Sequence, residues 1–119
     1  MKEKSFALKG KLQDLFHWDE PEGCFATDRI TVDGQKVGYM YREEPDVESK
    51  MPDSGWRFFA GDESDEYANN PDNVGVYALN TIANYDQDII ALLDSPYGTA
   101  FGRDENGVFQ QEMFDPPEE

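Results

Sequence analysis

A chain of 119 residues with 26 acidic and 10 basic side chains, net charge −16 at neutral pH, is long enough to bury its own core as one domain. Its surface repels phosphate backbones and anionic lipid, so nucleic acid and membranes are not expected as partners. A single cysteine, Cys24, and a single histidine, His17, leave no disulfide framework and too few N/S ligands for zinc. No apolar run approaches the length of a membrane span, and Met1 to Phe6 lacks the apolar region of a signal peptide. A cytoplasmic location is therefore expected.

The charge is unevenly spread. Residues 1–57 carry nine basic and twelve acidic side chains; residues 58–119 carry Arg103 alone against fourteen acids. Such asymmetry serves solubility, and it would also steer a basic partner, raising its association rate more than its affinity.

Taken in order, the chain divides into an N-terminal segment (1–22), a single domain (23–114) and an acidic tail (115–119) expected to fray. In the first segment Leu8, Leu12, Leu15 and Phe16 fall at helical spacing, which fits a short amphipathic helix that Gly10 weakens. Cys24 to Val32 reads as a strand, and Asp33-Gly34 reads as a type I′ turn returning the chain along Gln35 to Arg42. Ile30 would then face Val37, and Ala26 would face Tyr41.

After a polar loop from Glu43 to Asp53 comes the densest aromatic stretch, Ser54-Gly55-Trp56-Arg57-Phe58-Phe59-Ala60-Gly61. Its alternation predicts a strand over 56–60 at the centre of the sheet, with Trp56, Phe58 and Phe59 as structural core. Asp62 is placed to cap a short helix ended by Asn69-Asn70-Pro71. Val74 to Tyr77 is a further strand, and Ala78 to Asn84 a brief helix. Asp86 caps another short helix over Gln87 to Leu93, which Ser95-Pro96-Tyr97-Gly98 stops. Thr99 to Arg103 and Val108 to Gln111 form a hairpin across Asp104-Glu105-Asn106-Gly107. The sum is an α+β fold with a mostly antiparallel sheet: two hairpins, a central aromatic strand and two or three short helices.

The chemistry is sparse. Cys24 heads a strand, where a free thiol usually acts as a small buried hydrophobe, and nothing orients His17 as its base. No nucleophile elbow or phosphate loop is present. The one dense polar group is Asp62, Glu63, Asp65 and Glu66 beside Tyr67, and these five are the partner-binding candidates. They lack calcium-loop spacing, since the acids come as two adjacent pairs without a glycine at the right offset. No cofactor, metal ligand or catalytic residue is expected. The alternative is a metal-dependent hydrolase built on the same carboxylates.

The segments Cys24 to Gly34, Val37 to Glu43, Ser54 to Glu63 and Asn80 to Asp86, with Gly55-Trp56-Arg57-Phe58-Phe59 the most specific, resemble a bacterial family of small immunity-protein domains. This family, immunity protein thirty-three-like and formerly a domain of unknown function, accompanies polymorphic toxin systems. The similarity runs over residues 23 to 109. It implies a non-enzymatic role: binding and neutralising a protein toxin, often encoded nearby. Toxins that act on nucleic acid are commonly basic, which fits the acidic half of the chain.

Overall fold

The structure, a computed structural model, describes residues 13–16, 18, 22–44 and 53–112. His17, the tail 115–119 and residues 1–12 of the N-terminal segment lie outside the described residues.

In chain order these residues form β1 (Gly23–Thr27), α1 (Asp28–Thr31), β2 (Tyr39–Arg42), β3 (Asp53–Phe59), α2 (Asp65–Ala68), β4 (Val74–Ala78), α3 (Leu79–Tyr85), β5 (Thr99–Arg103) and β6 (Phe109–Glu112). Tight 3-10 turns cover Pro71–Asn73 and Gln87–Leu92. The strands make one sheet in the order β4-β1-β3-β2-β5-β6. The β1–β3 contact is parallel, and the other four contacts are antiparallel. This is the expected α+β architecture, with the aromatic strand β3 in the sheet interior and the 99–112 hairpin as its far edge.

The first expected hairpin does not form. Asp28–Thr31 turns helical instead, and Gly34, at φ 77°, closes that turn by donating its N–H to the Ile30 carbonyl at 3.0 Å. A left-handed glycine serves a helix end as well as it serves a type I′ turn, so Asp-Gly is locally ambiguous. Burial decides: Ile30 and Thr31 are fully enclosed by the core, and β1 pairs with β3 and β4 while β2 pairs with β3 and β5.

Pleat alternation gives the sheet two unlike faces. On one, Cys24, Ala26, Met40, Trp56, Phe58 and Phe101 meet Leu79, Ile82 and Ala83 of α3 and Ile89 and Leu93 beyond it. Trp56 and Phe58 stack at 6.1 Å, and the Trp56 indole donates to the Leu93 carbonyl at 3.1 Å, so its one polar atom is satisfied. Phe59 is not part of this cluster. It lies half-buried on the opposite face.

Polar groups tie the segments to this core. Residues 13–16 are not helical; the Asn80 and Asn84 side chains of α3 accept from the Leu15 and Gln13 N–H groups at 2.9 Å and donate back to the Gln13 carbonyl. Asp86, 2% exposed, caps the second 3-10 turn through the Asp88 N–H, as expected. The same carboxylate accepts from the Val37 N–H at 3.1 Å and pairs with Arg103, whose Nε donates to the Val37 carbonyl at 2.6 Å. One buried anion thus joins the approach to β2, the end of α3 and strand β5. Replacing Asp86 by Ala would take the buried carboxylate from Arg103, leave the buried Val37 N–H without its acceptor and remove the cap. We expect a loss of about 3 kcal/mol, read as a lower urea midpoint at unchanged slope.

Candidate functional site

The second face of the sheet is built by residues that the strand period throws opposite the core. One row runs across all six strands in register: Val76, Phe25, Arg57, Tyr41, Ala100 and Glu112. Tyr39 and Phe59 are paired in the next row. Among the described residues, α1, α3 and the turn Gln87–Leu92 pack on the core side, and the 60–73 segment borders one end of this face. Val76 is 54% exposed.

At the centre sits a charge. The Arg57 side chain is 9% exposed, and its guanidinium makes a two-pronged bond to Asp53, at 2.8 Å on each oxygen, and a third to Glu43 at 2.7 Å. It lies 4.5 Å from the centre of the Phe25 ring. Four residues of regular strand would separate Asp53 from Arg57 by about 13 Å. A bulge closes that gap: between Gly23↔Asp53 and Phe25↔Arg57, β3 spends four residues where β1 spends two. Gly55 makes the bulge possible at φ 92°, where an added Cβ would strike the Glu43 carbonyl.

Electrostatics follow from these contacts. Burial raises the Asp53 carboxyl, but the hydrogen bonds from Arg57 and the Gly55 N–H outweigh it and hold the group below its ordinary value. Burial disfavours the Arg57 charge, and the two carboxylates more than restore it. Burial and the Glu43 carboxylate push the Tyr41 hydroxyl up to about 12, so it remains a proton donor.

Two adjoining hollows line this face. One, of about 500 Å³, runs between Phe25, Arg57, Tyr41, Val74 and Val76. The other, of about 560 Å³, lies between Tyr39, Tyr41 and Phe59 and the facing Gly61, Glu63, Asp65, Ala68 and Asn69.

The acidic run is split by its surroundings. Glu63 turns inward and accepts from the Thr27 hydroxyl and from the Ala60 and Gly61 N–H groups, both at 2.8 Å. This folds the chain back, so Ser64 rather than Asp62 caps α2, accepting from the Tyr67 N–H at 3.1 Å. Asp62 instead lies 3.6 Å from Arg29, whose guanidinium stands 5.1 Å from the Tyr67 ring centre. Asp65 and Glu66 are exposed on the first turn of α2. Among the described residues no three His, Cys, Asp or Glu side chains gather so as to hold a metal ion. Of the four acids, Glu63 is bonded within the loop, Asp62 lies beside Arg29, and Asp65 and Glu66 are exposed.

Cys24 is fully buried, and burial raises its thiol well above the usual range, so it stays protonated. Sequence periodicity does not by itself single out Phe25, Tyr39, Tyr41 and Phe59 as a surface group. The available signal is that β2 and β3 are aromatic on both faces, and α3 with the turn after it provides cover for one.

Partial burial raises the Glu63 carboxyl, and the donors from Thr27, Ala60 and Gly61 outweigh this and lower it. A carboxyl depressed in the folded state stabilises above its ordinary value of 4.5 and loses that contribution as pH falls through the folded value. Glu63→Gln is expected to cost about 1–2 kcal/mol near neutrality. Urea titrations at stepped pH should show the difference from wild type shrinking in acid; a constant difference would refute the clamp.

No curated protein and no solved structure matches the chain. The family model described as the Immunity protein Imm33 domain matches residues 24–113, a span that takes in all six strands but for Gly23 at the start of β1, the Arg57 network and both hollows. The chain therefore belongs to the Imm33 immunity-protein domain family.

Proposed function

We propose that this protein binds and neutralises a basic protein toxin in the cytoplasm, through the aromatic sheet face and the acidic segment beside it. The observation that carries the reading is the placement of Phe25, Tyr39, Tyr41 and Phe59 opposite α3, around a fully paired Arg57. Tyrosine, phenylalanine and arginine are the residues that interfaces concentrate and that dominate binding energy. A sheet face held by backbone ladders loses little freedom on docking, so more of the contact energy appears as affinity.

Family membership supports a toxin as the partner. The charge supports a basic one: −16 overall, with the acidic half contributing Asp62, Glu63, Asp65 and Glu66 at the border of the face. Within that segment the roles divide. Glu63 supplies a fixed negative charge while shaping the loop, Asp65 and Glu66 reach solvent for long-range steering, and Tyr67 over Arg29 stiffens the rim.

The test is co-expression with the toxin encoded beside this gene, together with binding kinetics. Wild type should restore growth. The Asp65→Lys, Glu66→Lys double variant should slow association by up to about tenfold at low salt and flatten its salt dependence. Absence of protection would remove the immunity reading, and an unchanged rate and salt slope would remove the acidic segment from it.

A further inference from the structure

We propose that the hollow between Tyr39, Tyr41 and Phe59 and the facing 61–69 segment is an anchoring slot for an arginine side chain of the protein partner. The assignment rests on the reading of this face as the binding surface and names what it grips.

Three aromatic rings form the floor. Tyr41 and Phe59 lie nearly parallel, 5.8 Å apart with 15° between their planes, and Tyr39 leans on both at 6.0 and 6.2 Å. Ring faces are negative and attract a cation placed over them. Opposite stand Glu63 and Asp65, the charged groups among the described residues that line the hollow, and both are acids. The donors from Thr27, Ala60 and Gly61 hold Glu63 as the anion. Gly61 at the mouth, at φ 103°, presents no side chain there.

This combination discriminates. An apolar side chain would strip water from the exposed Asp65 carboxylate without pairing it and would leave the Glu63 charge without a counter-charge, which is costly. A phosphate or carboxylate would meet like charge. A cation satisfies floor and wall together. Between the two basic side chains, guanidinium fits better, because it is flat, weakly hydrated and can stack while donating sideways to an acid. The fold already uses this contact elsewhere: Arg57 lies 4.5 Å from the Phe25 ring centre, Arg42 4.6 Å from Tyr97 and Arg103 4.0 Å from Phe109. The hollow offers an incoming side chain the same chemistry with an acidic wall added.

The experiment titrates the intact protein with N-acetyl-arginine amide, N-acetyl-lysine amide and N-acetyl-citrulline amide, following backbone amide shifts by NMR. Citrulline keeps the shape of arginine and removes the charge. Arginine should give saturable shifts concentrated at Tyr39, Tyr41, Phe59 and residues 61–69, and should bind more tightly than lysine or citrulline. Asp65→Asn, an exposed change that leaves the core untouched, should weaken arginine binding roughly twofold to fivefold. Tyr39→Leu should weaken it roughly threefold to fivefold. Equal response to citrulline or lysine, shifts centred elsewhere, or no saturable shift up to the solubility of the probe overturns the slot. The toxin assay separates the two readings. If wild type protects cells and neither variant weakens toxin binding, the slot is wrong and the immunity role stands. If arginine binds in the hollow and the chain gives no protection, the slot stands and the toxin reading falls.

Discussion

A guanidinium set into the middle of a six-stranded sheet has to be paired, and the rest of this fold is arranged so that Arg57 is. Burying such a charge alone would cost several kcal/mol. The bulge at Gly55 draws Asp53 back beside it, and the β2–β3 pairing delivers Glu43 from the neighbouring chain segment. Asp53 comes from the same strand as Arg57, and Glu43 arrives with the β2–β3 pairing, so the ion network and that pairing support one another. Phe25 completes the enclosure from β1.

Strand β3 also divides the molecule's labour. Its Trp56 and Phe58 anchor the helices on one side, while Arg57 and Phe59 belong to the other. Because a strand period is two, neither set can move without the other, and the core therefore holds the second face in place. The buried Asp86–Arg103 pair does for the β5 side what Asp53–Arg57 does for the centre: it fixes a strand by hydrogen bonds that a slipped register would break.

That rigidity bears on neutralising a toxin. On the proposed reading, a pre-set aromatic surface would contribute contact area at small entropic cost, and a strongly acidic surround would speed encounter with a basic partner. Negative charge alone would attract many cations; aromatic rings beside fixed carboxylates favour a flat one. Affinity, rate and choice of partner would then come from separable features of one face.

Much of this was determined by the sequence alone. The acidic balance, the buried aromatic strand, the Asp86 cap and the Asn106-Gly107 hairpin are local or compositional, and each follows from residue types within a few positions. Asp33-Gly34 shows where local reasoning ends. A glycine with positive φ is equally at home in a hairpin and at a helix end, and the choice fell to Ile30, whose burial under the sheet favours the helical turn. Tertiary structure alone decided which face of β2 and β3 would be covered, because that depends on where α3 packs, far along the chain. Glu63 became a loop clamp while Asp65, two residues on, stayed in solvent: the Ala60 and Gly61 N–H groups are local partners, and the Thr27 hydroxyl, thirty-six residues away, is the one that only the β1–β3 pairing brings to the same carboxylate.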